Sequence, residues 1–283
     1  VATNEQRREA AKRKLAAQQA HRVERAQKQK RNTTIAVVAT VLVVAVAAGG
    51  VYALTAAWGG GDTEPADPAA QAQQDTGPDT SGLPVVPLPT RPTALPASVN
   101  CAYPAEAPAS KPVDPPADGE VSAEGTVPAS FSTSAGTIDL TLDRALAPCT
   151  VHSFESLIQQ GYYNGTSCHR LTTSPGLQVL QCGDPTGQGA GGPGYTIPDE
   201  VFDGLTYGRG LLAMAKTAAP NSGGSQFFMI YGDAQLPPEY TVFGSIGEEG
   251  LRTLDAVARA GESTGGGDGT PNTPVDIESA TVG

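Results

Sequence analysis

Thirty consecutive residues, Asn32 to Gly61, carry no charged side chain, and Thr33–Trp58 within them is dominated by Ala, Val, Leu and Ile. An apolar run needs about 20 residues to cross the hydrocarbon core of a bilayer as a helix, so this one is long enough. Tyr52 and Trp58 sit near its C-terminal end, where aromatic side chains favour the membrane interface. The alternative is a cleaved signal peptide, whose apolar region would be about 7–15 residues behind a short basic start. Here the run is longer and is preceded by 31 residues. The reading is a single uncleaved transmembrane helix over 32–58.

Charge changes sign across this run. Residues 1–31 hold ten basic residues against three acidic ones and carry +7, while the remaining 252 residues hold eight against 26 and carry −18. The next basic residue after the run is Arg91. The positive-inside rule then places the N-terminus in the cytoplasm and the C-terminal bulk outside it, at the cell membrane. The basic tail reads as a polar helix, either lying on anionic lipid heads or serving only to orient the span. The acidic bulk argues against a nucleic-acid partner, because phosphate binding needs clustered Lys and Arg. With three His and four Cys that form no CxxC pair, no metal site is expected.

Thirteen of the 24 Pro fall within residues 59–118, with almost no large apolar side chains. Such a segment reads as an extended extracytoplasmic linker. Cys101 fits a free linker poorly and suggests that its last part is tied to the domain after it. Residues 119–283 read as the folded unit. Strand patterns recur at Gly136–Leu142, Cys168–Leu171, Leu177–Cys182, Gly210–Met214, Gln226–Tyr231, Tyr240–Ser245 and Val275–Val282, separated by Gly-, Pro- and Asn-rich turns. Val151, Phe154, Leu157 and Ile158 have helical spacing behind Pro148 and Thr150; Leu251, Leu254 and Val257 repeat it and stop at Gly261. Many strands with two helices point to a mainly β fold, a closed or nearly closed barrel with helical caps.

Five motifs stand in order: Gly161-Tyr-Tyr-Asn-Gly165 before His169-Arg170, then Gln181 with Gly183-Asp184, Leu-Ala-Met-Ala215, Gly-Ser-Gln-Phe-Phe228 and Val242-Phe-Gly244. Together they resemble the cyclophilins, the peptidyl-prolyl cis-trans isomerases, over about residues 126–283. The layout of basic tail, single span, Pro-rich spacer and this domain resembles the membrane-anchored cyclophilins of actinobacteria. The resemblance implies an eight-stranded antiparallel closed β-barrel capped by two α-helices, a monomeric isomerase domain, no cofactor, and X–Pro peptides or unfolded envelope proteins as partners. It places Arg170, Gln181 and Phe228 in catalysis: Arg170 beside the prolyl residue, Gln181 positioning it, Phe228 as the floor of the proline pocket. Val179, Met214, Ala215, Lys216, Gln226, Leu236 and Tyr240 fall among the substrate-contacting positions, and the backbone at Ala215 and Lys216 would receive the residue before proline.

The sequence departs from the family at several of these positions. Tyr240 stands where His is frequent, Gln235 where eukaryotic members have a Trp that contributes to cyclosporin binding, Val179 in place of Met, and Lys216 in place of Asn. Weak cyclosporin binding is the expectation. A proline-binding scaffold or chaperone module with little turnover is the rival reading, and an interaction module using the acidic surface is a third.

Four cysteines allow three connectivities, and an extracytoplasmic compartment permits oxidation. Cys168 and Cys182 lie on strands expected to be antiparallel neighbours around Pro175-Gly176, which favours that pair; Cys101–Cys149 is then left by elimination. Four reduced, buried thiols are the alternative. Gly187–Gly194 resembles a phosphate loop only superficially, because no Lys-Ser/Thr comes after it; it reads as a mobile loop beside the cleft. His169 reads as a packed strand residue.

Overall fold

A computed structural model describes residues 75–283 of the chain. The expected tail at 1–31, the transmembrane helix at 32–58 and the start of the linker lie outside the described residues. Among the described residues no helix is long and apolar enough to cross a membrane.

The period-two patterns become strands of one antiparallel sheet. They are β3 (Thr126–Thr133), β4 (Gly136–Asp143), β6 (Arg170–Thr172), β7 (Leu177–Cys182), β8 (Leu211–Met214), β9 (Phe227–Ala234), β10 (Val242–Ile246) and β12 (Asp276–Val282). Two-residue segments, β5 (Thr166–Ser167) and β11 (Asp268–Gly269), flank them. The order is β11-β6-β7-β9-β8-β10-β4-β3-β12-β5. The sheet holds ten strands, eight of them of three or more residues, and its hydrogen-bonded ladder has two ends rather than closing on itself. Only Cys168 and His169 separate β5, at one end, from β6 beside the other. Each residue spans at most about 3.6 Å, so the sheet must curl until its ends lie close.

One transverse row shows where the interior is. Leu171, Leu180, Met229, Leu212, Gly244, Leu142 and Val127 are successive cross-strand partners. Every side chain in the row is buried. Directly opposed residues share a face, so this row is the inner face. An aromatic cluster of Phe131, Phe154, Tyr163, Phe227 and Phe243 continues the core, with ring centroids 4.9–6.1 Å apart.

The two helices stand where their spacing predicts. Helix α1 (Pro148–Gln159) buries Val151, Phe154, Leu157 and Ile158. Pro148 opens it without the N–H that a first turn would leave unpaired. No side chain of its own caps it; instead the Glu200 carboxylate accepts from the Cys149 and Thr150 N–H groups at 3.0 and 2.8 Å. Helix α2 (Glu248–Ala260) has Glu248 and Glu249 in its first turn and Arg259 in its last, which suits the helix dipole. It ends at Gly261, φ 77°.

Residues 75–118 depart from the extended spacer expected of them. A hairpin of β1 (Ser98–Cys101) and β2 (Gly119–Ser122) lies within the segment and just past it, and its side chains dock on the barrel one by one. Thr80 is buried and donates to Asp255 of α2 at 2.6 Å. Arg91 donates to the Leu146 and Glu200 carbonyls. Tyr103 is buried and donates to the Cys149 carbonyl at 3.1 Å. Lys111 reaches three carbonyls, those of Gly161, Tyr162 and Asn164. The Cys101–Cys149 disulfide joins the segment to α1, and Cys168–Cys182 joins the approach to β6 with the end of β7. Both expected pairs are present, and among the described residues no cysteine is free.

Candidate active site

The site is built on the row beside the buried one. Arg170 pairs with Gln181, Gln181 with Phe228, Phe228 with Ala213, and Ala213 with Val242. Strand side chains alternate between faces, so this row points away from the inner face of the curled sheet. The three residues expected in catalysis, separated by up to 58 positions in sequence, thus stand side by side on adjacent strands.

Asp268, in the short β11, holds the guanidinium. It accepts from Arg170 Nε at 2.8 Å and from Nη2 at 2.7 Å. Arg170 Nη1 donates to Gln181 Oε1 at 3.2 Å. Each Nη carries two N–H groups, so one on each remains uncommitted. The hydrogen bond to Asp268 is the main reason the Arg170 pKa stands above its ordinary value, against the opposing effect of burial. The same bond holds the Asp268 carboxyl below the usual range. Arg170 is half-buried and Asp268 exposed, so their pairing fixes direction more than it adds stability.

From Gln181 a chain of amides continues: its Nε2 donates to Gln226 Oε1 at 3.0 Å, and Gln226 Nε2 donates to the Gly191 carbonyl at 3.0 Å. Phe228 is 5% exposed and meets Tyr240 edge to face, centroids 5.6 Å apart. Tyr240 is itself set by Tyr207, whose hydroxyl donates to the Tyr240 carbonyl and accepts from its N–H, both at 2.9 Å. Burial pushes the Tyr207 phenol up to about 12, so this hydroxyl stays protonated.

The remaining expected contacts divide. Val179 lies two residues before Gln181 on the same face and is buried. Leu236 and Tyr240 are half-buried beyond β9. Ala215 donates its N–H to the Gln226 carbonyl at 2.9 Å, at the mouth of the site. Met214 does not join them. It pairs with Phe227 on the opposite face and is buried there, because alternation sends it inward when Ala213 points out. The Lys216 side chain is also unavailable: its Nζ lies 2.9 Å from Asp199 Oδ2 in a mostly buried ion pair.

Beside the row, a cavity of about 260 Å³ is lined by Gln181, Ala215, Lys216 and Gln226 together with the Gly189–Gly194 loop and Glu106, Ala107, Pro108 and Ser110. The loop, expected to be mobile, is tied down by hydrogen bonds. Asp184 accepts from the N–H groups of Thr186, Gln188 and Ala190 at 2.7–3.0 Å. Burial pushes its carboxyl up, but these bonds outweigh that and hold it below its ordinary value.

Asp268, Tyr207 and Glu106 are neighbours that sequence reasoning does not single out. Asp268 lies 98 residues from Arg170 in a Gly-rich loop with no periodicity, so only the pairing of β11 with β6 reveals it. His169 packs with both ring nitrogens buried and without a partner, but it stands in the link between β5 and β6 rather than within a strand.

The family model described as "Cyclophilin type peptidyl-prolyl cis-trans isomerase/CLD" matches residues 129–282. A Mycobacterium leprae protein named "Probable peptidyl-prolyl cis-trans isomerase B" is 47% identical over 206 residues, covering 68% of this chain and 70% of that protein. A Mycobacterium tuberculosis protein of the same name is 52% identical over 168 residues, covering 55% of this chain and 54% of its own length. A Helicobacter pylori peptidyl-prolyl cis-trans isomerase is 41% identical over 135 residues, covering 47% and 80%. With the curled antiparallel sheet, its two helices and these matches in agreement, the chain belongs to the cyclophilin-type peptidyl-prolyl cis-trans isomerase family.

Proposed function

We propose that this chain isomerises X–Pro bonds through the Arg170–Gln181–Phe228 row. The X–Pro bond prefers trans by only about 0.5–1 kcal/mol, yet uncatalysed exchange takes tens to hundreds of seconds. The barrier of about 18–20 kcal/mol is the loss of amide resonance. The reaction needs no nucleophile or proton carrier. It needs a dry seat for the proline ring and a site that binds the twisted amide better than either planar form.

Phe228, edge-on to Tyr240 and flanked by Ala213 with Val242 beyond it, provides the seat. The uncommitted Arg170 N–H groups provide the selectivity. On twisting, the prolyl nitrogen regains its lone pair and becomes an acceptor. A donor aimed at it therefore gains strength only near the top of the barrier. Arg170 is always charged, and Asp268 and Gln181 fix its plane beforehand, so little reorganisation is left to the reaction. This held guanidinium beside an apolar floor is the observation that carries the reading.

We further place the isomerase outside the cytoplasm on a single-pass anchor. Two disulfides fit an oxidising compartment, and the charge-free run behind a +7 tail fits the orientation. X–Pro segments of secreted or envelope proteins are then the substrates. Full closure of the eight-stranded barrel belongs to the same reading. So does weak cyclosporin binding, since Gln235 offers no indole.

The test is cis-trans exchange of an Ala-Pro-Phe peptide, measured by NMR with the full chain, Arg170→Ala and Phe228→Ala. Acceleration by the unaltered chain, lost in both variants, is expected. Peptide binding without acceleration would install the proline-binding scaffold instead, which the altered wall residues Tyr240, Val179 and Gln235 favour.

A further inference from the structure

The stretch before the family-matched residues does more than pack. Ala105 forms a bridge with Tyr195. Glu106 N–H donates to the Gly194 carbonyl at 3.0 Å, Ser110 N–H to the Gly192 carbonyl at 2.9 Å, and Gly192 N–H returns to Ser110 Oγ at 3.1 Å. The strip lies so close to the loop that a Cβ on Gly194, whose φ is +86°, would stand 2.9 Å from both Ala107 O and Ala109 N. Residues 105–110 therefore run along the outer edge of the loop, and Glu106, Ala107, Pro108 and Ser110 wall the cavity whose other side is Gln181, Ala215 and Gln226.

The charges in that cavity are unequal. Glu106 and Lys216 are the charged residues of its lining. Lys216 is neutralised by Asp199 at 2.9 Å. Among the described residues the Glu106 carboxylate has no ion-pair or hydrogen-bond partner. The hydroxyls of Ser110, Thr217 and Ser222 are engaged within the protein, and Gln226 is engaged with Gln181 and Gly191. At about 260 Å³ the cavity falls below the ~300–1,000 Å³ typical of a whole small-molecule ligand. It suits one side chain.

We propose that residues 105–110 complete the substrate groove, forming a subsite that receives a Lys or Arg side chain from the N-terminal side of the substrate's proline, with Glu106 as its counter-charge. The inference rests on the isomerase reading, because Ala215 and Gln226 connect the cavity to the seat of the proline. An extension tied down by a disulfide thereby selects sequence context and leaves the isomerising row untouched.

The test uses the full chain and the peptides Lys-Ala-Pro-Phe and Glu-Ala-Pro-Phe, together with a pair in which the charged residue lies one position further out. At low ionic strength kcat/KM is expected to favour Lys over Glu by about 2–5-fold in one of the two pairs, as a partly exposed ion pair would give. The ratio should shrink in 0.5 M salt, where charges are screened within about 4 Å. Glu106→Gln should bring it close to one, whereas Glu124→Gln, which removes the same charge from the exposed end of the hairpin, should leave it unchanged. A ratio near one in the unaltered chain, or one that survives Glu106→Gln, would overturn the subsite. If no peptide is isomerised, the failure belongs to the isomerase reading. The subsite is then decided by the dissociation constants of the same peptides, for which the same ratio and the same loss are expected.

Discussion

Asp268 shows how a single side chain directs the site without touching the substrate. It takes the Nε and Nη2 edge of Arg170 and so fixes the plane in which the uncommitted N–H groups lie. Asp268→Asn keeps the shape and replaces one accepting oxygen by a donor facing Arg170. Because the direction of the guanidinium matters only when the amide is twisted, the variant should lose kcat by about tenfold, or 1.4 kcal/mol, with KM little changed. An equal loss in peptide affinity would mean that Asp268 merely shapes the pocket. His169, the neighbour of Arg170, shapes the pH dependence of stability. Burial holds its imidazole below the ordinary value of 6.5, with Asp184 opposing and Arg170 reinforcing, and His152 is shifted the same way, mainly by burial. The unfolded chain takes up these protons as pH falls through about 6.5, before the folded chain does. Stability from these groups is therefore complete above that pH and is lost as pH falls through the depressed folded values. Thermal midpoints between pH 8 and 5 should decline less steeply for His169→Gln than for the unaltered chain; identical slopes would assign the decline to other groups.

At the scale of elements, the extension depends on a few separate anchors. The Cys101–Cys149 bridge closes a separation of 48 residues, worth roughly 3–4 kcal/mol by the chain-entropy model. Cys101→Ser with Cys149→Ser should lower the urea midpoint accordingly. It should also raise amide exchange in 98–122 before the barrel strands exchange. Uniform exchange throughout would show that extension and barrel unfold as one unit. The sequence shows the bridge but not the docking, because Pro-rich composition reads as a spacer. The anchors that overrule it, Thr80, Arg91, Tyr103 and Lys111, are single polar or aromatic residues whose partners lie 46 to 175 positions away. Strand β3 is hidden for a related reason. Its inward residues Val127, Ala129, Phe131 and Thr133 alternate correctly, but Pro128 argues against an inner strand. The structure accommodates it where the β12 ladder stops: the Pro128 carbonyl accepts from Gly283 N–H, and the missing donor falls beyond the last paired residue. Arg170, Gln181 and Phe228 are legible because each sits in a short motif. Asp268 and Glu106 are not, because their roles come from a two-residue strand pairing and from an edge strip.

For the whole molecule, compartment, covalent structure and selectivity depend on one another. The subsite wall at 105–110 comes directly after Cys101, and a disulfide there persists where the environment is oxidising. The chain's own signals point to such a place. Ten basic residues precede the apolar run, and the described body carries the acidic excess. Clustered Lys and Arg each gain about 1 kcal/mol near an anionic inner leaflet, which is the basis on which we propose a cytoplasmic tail. The full chain, tagged at both termini and expressed in bacteria, should therefore stay with the membrane through alkaline carbonate. Protease added to intact spheroplasts should cut within the segment before residue 75 and release a C-terminal fragment, leaving the N-terminal tag protected. Non-reducing electrophoresis of that fragment should show both disulfides formed. Release only after lysis would reverse the orientation, and extraction by carbonate would remove the anchor. Either result would leave the Arg170 row intact, since the sheet register alone sets it, but would withdraw the oxidising compartment proposed for Cys101. In a reducing compartment the wall at Glu106 would be held by its hydrogen bonds alone, and the preference for basic substrates would weaken while isomerisation continued.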